Sequence, residues 1–337
     1  MWLVLAIPAP AQAPVVWEGK TVRQWAAQLD AADAGANYYA AYVLGQLGPK
    51  AADAVEPLKK MLAKRSVAKS VPGYEDWEYV RGTAAWALGR IGPAAETAVP
   101  LLMETMHSKG HVSVRRNSNE ALGNLGRAAK PAVPDLLAAL ADEDAITRVN
   151  AAVALWKIQR HPKALPALAE MLQPGKGPAA YHAAVALGTL DLSPSDTTEP
   201  AGSSHEPQAV SQALVKALGA ADQDVARAAA RSLGQIGRGT PRLALAAIQP
   251  ALEGPRDEVR RMAAEALGWM GPAAVEPLRA VLKNDSPAAR RAAARALGRL
   301  GPAARTAEAD LVEAVNDPAA AVRTAAAKAL RLVRGAP

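Results

Sequence analysis

A short pattern, Ala-x-x-x-Leu-Gly-x-(Leu/Ile/Met)-Gly, recurs along the chain and constrains its fold more than any other feature. Six of the eight spacings between successive anchor leucines lie between 30 and 34 residues, and two longer spacings coincide with loop-like insertions. A fixed period of this length is typical of stacked helical repeats, in which one unit cannot bury its apolar face alone. The nine anchors are Leu44, Leu88, Leu122, Leu155, Leu187, Leu233, Leu267, Leu297 and Leu330.

Each repeat is predicted to contain two helices. Apolar or small residues at offsets −8, −4, 0 and +3 from the anchor share one face at 3.6 residues per turn, so this face is the predicted core of the second helix. A Gly-Pro pair such as Gly48-Pro49 or Gly301-Pro302 follows several second helices and predicts their end. A proline near the start of the following segment, as in Val99-Pro100, is compatible with a first helical turn.

Composition supports helices and excludes several classes of protein. Half of the 337 residues are hydrophobic, but aromatic residues make up only 4% and phenylalanine is absent, which argues against a β-sandwich or barrel. The absence of cysteine excludes disulfides, thiolate metal sites and cysteine nucleophiles. No apolar run approaches the length of a membrane span. The net charge of +7 weakly favours anionic partners.

The repeat resembles the HEAT repeat, in particular the short variant named after phycobilisome lyases. Ala273 to Leu278 and Val259 to Gly268 are similar to its two helices, and Trp17 to Trp25 is expected to supply the first helix of the first repeat. The resemblance implies an all-α, right-handed α-solenoid of about nine helix pairs, with residues 14–337 as a single domain. It also implies that the second helices line a concave face.

Three segments are expected to lie outside this regular pattern. Residues 1–13 contain a short apolar run followed by small-x-small motifs, which predicts either a signal peptide or a frayed terminus and favours export, otherwise a cytoplasmic location. Residues 66–76 and 191–207 are predicted insertions, the second of them a flexible loop rich in Ser, Pro, Thr and Gly.

Candidate catalytic and metal-binding residues are sparse. His107 and His111 have the i, i+4 spacing of a helical metal pair but lack an evident third ligand, and the His205-Glu206 dipeptide lies in the second insertion. HEAT-like hydroxylases that act on a modified lysine carry several His-Glu dipeptides, so that activity is not expected here. No cofactor is predicted, and an enzymatic role is not expected, although a HEAT-like lyase or glycosylase stays an alternative.

Arginine recurs seven residues before the anchor, with acidic residues upstream of it. A row of phosphate clamps is one interpretation, and the HEAT resemblance implies another, a ladder of Arg–Asp hydrogen bonds between repeats. The arginines are Arg81, Arg115, Arg148, Arg260, Arg290 and Arg323, and the acidic residues include Asp76, Asp144, Asp257, Asp285 and Asp317.

The best functional lead is a stripe on the second helices, at positions six before, two before and two after each anchor. These positions follow an i, i+4, i+8 pattern and point away from the predicted core, and we call them the stripe. The stripe is aromatic near the N-terminus and cationic toward the C-terminus, and Trp, Tyr and Arg are enriched at binding hot spots. The predicted partner-binding residues are Tyr38, Tyr42, Trp86, Arg90, Arg227, Arg231, Arg261, Trp269, Arg291, Arg295 and Arg299.

The stripe predicts a scaffold that binds a protein or peptide with an acidic segment. Seven basic residues but one acidic residue lie between Arg279 and Arg305, so an acidic partner would relieve repulsion between like charges. Binding of nucleic acid or another polyanion is the alternative that the same charges allow.

Overall fold

A computed structural model describes residues 16–31, 33–64, 74–109, 112–173, 175, 177–192 and 206–335. The chain divides into two compact units, Met1–Asp135 and Leu136–Pro337. The first unit begins with a hairpin of strands β1 (Val16–Trp17) and β2 (Lys20–Thr21). Its helices are α1 (Val22–Gln28), α2 (Ala34–Leu47), α3 (Val55–Ala63), α4 (Tyr74–Ile91), α5 (Val99–Thr105) and α6 (Val112–Leu125).

Helix α7 (Val133–Ala139) begins at the end of the first unit, and the second unit contains the remaining helices. In chain order the eighteen helices of the described residues make nine successive pairs, as the nine anchors predict. The remaining helices are α8 (Ala145–Gln159), α9 (Ala164–Met171), α10 (Pro178–Thr189), α11 (Glu206–Ala217), α12 (Gln223–Gly239), α13 (Pro241–Glu253), α14 (Asp257–Met270), α15 (Val275–Val281), α16 (Pro287–Leu300), α17 (Glu308–Ala314) and α18 (Ala320–Val333).

The even-numbered helices carry the repeated pattern and stack side by side within each unit. In the first unit α4 packs between α2 and α6, and in the second unit the even helices from α8 to α18 each contact the next one. The all-α prediction is therefore confirmed. One continuous domain and the right-handed superhelix stay predictions.

The anchor leucines form the centre of the core, as predicted. Eight of the nine, from Leu44 to Leu297, have no solvent-exposed surface. The ninth, Leu330, is half-buried because its helix, α18, packs against α16 on one side and has no further repeat beside it in the described residues.

Small residues let the even helices approach closely. A Cβ atom added to Gly89 on α4 would lie 2.6 Å from the Cα atom of Ala121 on α6, so any side chain there would push the two main chains apart. Glycine also ends several repeats with a positive φ, for example 56° at Gly48 and 85° at Gly271. The predicted Gly-Pro stop is thus confirmed, and 3₁₀ segments such as Gly48–Ala54 then lead into the next odd helix.

The start of the chain differs from the expectation. Trp17 to Trp25 was expected to form the first helix, but α1 starts only at Val22, after the hairpin. The turn residues Glu18 and Gly19 have φ angles of 48° and 75°, the combination that a tight two-residue hairpin turn requires. Thr21 then caps α1 through a reciprocal hydrogen bond with Gln24.

Both predicted insertions are shorter at their C-terminal ends than expected. Residues 74–76 already belong to α4, and Glu206 and Pro207 begin α11. Residues 191 and 192 are described, whereas residues 66–73 and 193–205 lie outside the described residues, as does the predicted N-terminal segment 1–13. In the part of the chain that the structure describes, no helix is long and apolar enough to cross a membrane.

Candidate partner-binding surface

The stripe lies at the surface of both units. Eight of its eleven predicted binding residues are exposed, and Trp86, Arg261 and Trp269 are half-buried. The exposed ones are Tyr38, Tyr42, Arg90, Arg227, Arg231, Arg291, Arg295 and Arg299.

In the first unit the stripe is built around a series of aromatic rings, which we call the aromatic ladder. Successive ring centroids are 5.7 Å apart from Trp25 to Tyr39, 6.5 Å from Tyr39 to Tyr42 and 5.8 Å from Tyr42 to Trp86. The guanidinium of Arg90 lies 6.0 Å from the centre of the Trp86 ring. The Trp25 and Tyr39 rings meet edge to face, and the other two pairs are stacked. Both arrangements are favourable for aromatic pairs, so the ladder is an ordered apolar surface.

Sequence reasoning missed Tyr39, which lies one position away from the stripe. Its hydroxyl donates a hydrogen bond of 2.8 Å to the Glu18 carboxylate in the hairpin turn. That hydrogen bond, followed by desolvation and the negative charge of Glu18, raises the pKa of Tyr39. The hairpin that orients Tyr39 was itself not predicted, so its role could not be found from helical spacing.

In the second unit the stripe is built around Trp269. The guanidinium of Arg231, on α12, lies 4.8 Å from the Trp269 ring centre, and that of Arg299, on α16, lies 5.7 Å from it. Cations at these distances are attracted to the ring electrons. We call Arg231, Trp269 and Arg299 the arginine stack.

Two of the predicted cationic residues already have acidic partners. Arg261 pairs with both Glu258 and Glu265 on its own helix, and Arg227 pairs with Asp224 at 3.1 Å. The hydrogen bond from Arg261 lowers the pKa of Glu258 and in turn raises that of Arg261. The free positive charge at these two positions is therefore smaller than the sequence suggests.

Four other arginines of the stripe have no acidic partner among the described residues: Arg231, Arg291, Arg295 and Arg299. Desolvation lowers the pKa of Arg299, and the nearby charge of Arg295 lowers it further, while Glu265 acts in the opposite direction. Arg299 is thus partly desolvated and close to a second positive charge, an arrangement that a bound anion would stabilise.

The sequence overstated the uncompensated charge between Arg279 and Arg305. Arg279 and Lys283 both pair with Asp310, and Arg290 pairs with Asp317, each acid belonging to the following repeat. A count of charges between Arg279 and Arg305 leaves out Asp310 and Asp317, because both come later in the sequence. Helix stacking nevertheless brings both acids next to basic residues of that segment.

The arginines that recur seven residues before the anchor donate hydrogen bonds mainly to main-chain carbonyl oxygens. This corrects the predicted series of Arg–Asp hydrogen bonds between repeats. Arg81 donates to the carbonyl oxygen of Leu62 at 3.0 Å, and Arg323 donates to that of Asp317 at 2.9 Å. Arg115, Arg148 and Arg260 make equivalent bonds to the loop that precedes their helix. Arg290 does the same and adds the predicted pair with Asp317, through two hydrogen bonds of 2.6 and 3.0 Å. Because these arginines are engaged within the protein, phosphate clamping is not supported.

The His107 and His111 spacing, for which no third metal ligand was evident in the sequence, cannot be tested as a pair. His107 lies 3.5 Å from Asp135, and His111 lies outside the described residues. Within the described ranges, no group of three or more His, Asp or Glu side chains could hold a metal ion.

A groove of about 750 Å³ lies between α10, α12 and α14 in the second unit. Its walls include Tyr181 and Val185 from α10, Arg227 and Arg231 from α12, and Trp269 from α14. A smaller hollow of about 120 Å³ adjoins it on the other side of Trp269 and includes Arg295 and Arg299. Tyr181 and Val185 belong to the stripe but were not chosen as binding residues, although their exposed positions could have been read from its spacing.

Comparison with known proteins agrees with the repeat architecture. The HEAT-repeat family matches residues 99–188, 211–286 and 275–336, and the PBS lyase HEAT-like repeat matches residues 36–64 and 80–107. The chain belongs to the HEAT-repeat family. Such repeats form scaffolds that commonly mediate protein interactions.

Matches to whole proteins add little to this HEAT-repeat assignment. No curated protein matches the chain. Among solved structures, human deoxyhypusine hydroxylase in complex with glycerol is 21% identical with a TM-score of 0.35, and the match covers 93% of this chain and 96% of that one. A similarity of this size carries no argument about the activity of this HEAT-repeat chain.

Proposed function

We propose that this HEAT-repeat scaffold binds an acidic segment of a protein partner on the stripe of its second unit. One observation carries the proposal: Arg231 and Arg299 lie near the ring of the half-buried Trp269, Arg295 lines the hollow beside that ring, and none of the three has an acidic partner among the described residues. Arg291, one helical turn before Arg295, is likewise without an acidic partner there. Arginine and tryptophan are the residue types that dominate binding hot spots.

Electrostatics favours an anionic partner at this surface. Arg291, Arg295 and Arg299 repeat every fourth residue on α16, so their side chains project from the same face of one helix. Like charges at this spacing repel one another by a few tenths of a kcal/mol in an isolated helix, about 0.2–0.5 kcal/mol per pair. A carboxylate of the partner would remove that repulsion and would accept hydrogen bonds from two guanidinium nitrogens at once.

Carboxylates of the protein itself favour a peptide over nucleic acid. Asp224 and Glu265 lie on the same surface as these arginines and line the same groove. Because Asp224 and Glu265 are paired with Arg227 and Arg261, this part of the surface has few unpaired cations for a continuous phosphate backbone, whereas a peptide can place neutral residues opposite it. A polyanion is therefore the second candidate, and the experiment below separates the two.

The aromatic ladder of the first unit is proposed as a separate contact surface for an apolar part of a partner. Tyr39 and Tyr42 of the ladder and the adjacent Tyr38 are each 40–44% exposed, which is unusual for three neighbouring aromatic residues of a surface helix. The tyrosine hydroxyls would supply hydrogen bonds at the edge of such a contact.

The test is a charge reversal on α16 with Arg291, Arg295 and Arg299 all changed to Glu. The probe is a fluorescent synthetic peptide of six glutamates, and its binding is followed by anisotropy at low and at physiological salt. We expect the reversal to weaken binding by about tenfold or more, which corresponds to about 1.4 kcal/mol.

A matched control carries the same change in net charge outside the stripe. Lys216, Arg242 and Arg305 are exposed residues of α11, α13 and a 3₁₀ segment, and their change to Glu should affect affinity little. Equal losses in the two triple variants would assign the binding to net charge alone. Tighter binding of a single-stranded DNA probe of equal charge, with a steeper salt dependence, would favour the polyanion instead.

A further inference from the structure

The groove between α10, α12 and α14 combines apolar and cationic walls. Tyr181 and Val185 lie one helical turn apart on α10, and each is 41% exposed. In the described residues of the second unit, the other exposed large hydrophobic residue is Val312, on α17. Two of three such residues therefore line one groove, and clustered apolar exposure beside a cavity is typical of a binding site.

The carboxylates that line the groove are engaged by the protein. Asp222 caps α12 and accepts a hydrogen bond of 2.8 Å from the main-chain N–H of Asp224. Asp224 pairs with Arg227, and Glu265 pairs with Arg261. Arg231 thus remains as a cation without an acidic partner in the groove, where it lies over Trp269.

The floor of the groove is fixed by close packing. Ser232 donates a hydrogen bond of 2.7 Å to the carbonyl oxygen of Ala184, which ties α12 to α10. A Cβ atom added to Gly188 would lie 2.4 Å from the side chains of Ser232 and Gln235, so glycine is needed for this approach. A groove held in this way is preformed, which reduces the entropy that binding would cost.

The character of the surface changes from apolar to cationic along one direction. Tyr181 and Val185 lie on α10, Arg231 on α12, Trp269 on α14, and Arg295 and Arg299 on α16. Adjacent packed helices are about 8–10 Å apart, so the apolar wall and the Trp269 ring lie on helices separated by about 16–20 Å. An extended peptide covers that distance in about five or six residues at 3.3 Å per residue.

We propose that the groove binds an apolar anchor residue of the same acidic segment, so that the partner carries a Leu-, Ile- or Phe-type side chain followed by carboxylates within about six residues. This inference rests on the proposed function, because the carboxylates are those that meet the arginine stack. The unpaired arginines favour carboxylates in one part of the peptide, and the exposed Tyr181 and Val185 favour an apolar side chain in the other part.

Two peptide probes test the inference. The first carries two leucines, a two-glycine spacer and six glutamates, and the second has asparagine in place of both leucines. We expect the wild-type protein to bind the leucine probe about tenfold more tightly than the asparagine probe, because burying an apolar side chain contributes about 1.5–3 kcal/mol before ordering costs.

The groove variants are Val185→Asn and Tyr181→Ala, and Val312→Asn is the matched control. Both groove variants should reduce the preference for leucine to less than about threefold, and binding of the asparagine probe should stay unchanged. Val312→Asn removes an equally exposed valine from the same unit and should leave the preference intact. Because all three residues are exposed, each variant should keep the wild-type circular dichroism spectrum.

The outcomes separate this inference from the proposed function. If the wild type binds both probes equally, the acidic-segment proposal stands and the apolar anchor is wrong. If neither probe binds, both proposals fail. A leucine preference that survives Val185→Asn and Tyr181→Ala would move the anchor site elsewhere. Self-association that Val185→Asn removes would assign the groove to a second copy of the chain and would overturn the inference.

Discussion

Each of the two units places a tryptophan against a glycine of the preceding even-numbered helix, but different side chains surround the two tryptophans. Trp86 in the first unit lies against Gly45, and Trp269 in the second lies against Gly234. Trp86 stacks on Tyr42 with an angle of 10° between the rings, whereas Trp269 has arginines from two neighbouring helices near its ring.

The difference shows where the specificity of such a scaffold resides. Both tryptophans occupy stripe positions, two residues before Leu88 and two residues after Leu267, and these two anchors have no exposed surface. The residues that differ lie in the stripe, which the core does not constrain. One architecture therefore presents an apolar surface in one unit and a cationic surface in the other.

The largest expected effect tests whether the two cores are equivalent. Leu88→Ala and Leu267→Ala should each lower the free energy of unfolding by about 2–5 kcal/mol, because each removes a fully buried side chain and leaves a cavity. Chemical denaturation measures both losses. Arg295→Ala is the exposed control on α16 and should change stability by less than about 0.5 kcal/mol. A loss for Arg295→Ala as large as that for Leu267→Ala would show that the assignment of faces is wrong.

The second largest effect is expected from the ion pair of Arg290 with Asp317, and its neighbour Arg291, which has no acidic partner among the described residues, provides the comparison. Asp317→Asn should lower stability at neutral pH by about 1.5–3 kcal/mol, since it removes the charge that Arg290 contacts through two hydrogen bonds. Arg291→Ala should change it by less than about 0.5 kcal/mol.

The same variant has an expected pH dependence. Hydrogen bonds from Arg290 lower the pKa of Asp317, so its contribution is complete above the unfolded-state pKa and is lost as the pH falls through the folded-state pKa. The stability difference between wild type and Asp317→Asn should therefore shrink below about pH 4. A difference that stays constant on acidification would contradict the role of the ion pair, and Glu313→Gln serves as the exposed carboxylate control.

Periodicity alone predicted most of the fold. The anchors, the small residues beside them and the Gly-Pro pairs identified nine helix pairs because a helix in a stacked repeat must bury the same face each time. The hairpin at Val16–Thr21 was missed because it depends on two positive φ angles at Glu18 and Gly19, which a helical pattern does not encode.

The exposed stripe was predictable in position but not in charge. Spacing placed Arg261 and Arg291 on the surface, yet only the structure shows that Arg261 lies between two glutamates and that Arg291 has no acidic partner among the described residues. The pairs of Arg279 and Arg290 with acids about 30 residues away depend on helix stacking. A local count of charges cannot include them.

A smaller effect compares the two glycines directly. In Gly45→Ala the new Cβ atom would lie 2.2 Å from the outer edge of the Trp86 ring, which can tilt at the cost of its stacking on Tyr42, whereas in Gly234→Ala it would lie 2.1 Å from the Cβ atom of Trp269, which cannot move without its main chain. Overpacking costs about 1–3 kcal/mol, and a helical alanine recovers about 1 kcal/mol relative to glycine. We expect Gly234→Ala to be clearly destabilising in thermal or chemical unfolding and Gly45→Ala to be less so. The reverse order would show that the two tryptophans are not held in the way described.

The smallest effect concerns the cations over the two rings. Arg231 lies 4.8 Å from the centre of the Trp269 ring, and Arg90 lies 6.0 Å from that of Trp86, so the attraction should be stronger in the second unit. Double-mutant cycles isolate each pair, with Arg231→Met and Trp269→Leu in one and Arg90→Met and Trp86→Leu in the other. We expect a coupling energy of about 0.5–1 kcal/mol for the first pair and less for the second, each measured by chemical denaturation. Methionine keeps most of the length of the arginine side chain, so the coupling reports the charge rather than the packing of its aliphatic part. Equal couplings would mean that the ring of Trp86 attracts its cation as strongly as that of Trp269, and the distinction between an apolar and a cationic surface would then rest on the unpaired arginines of α16 alone.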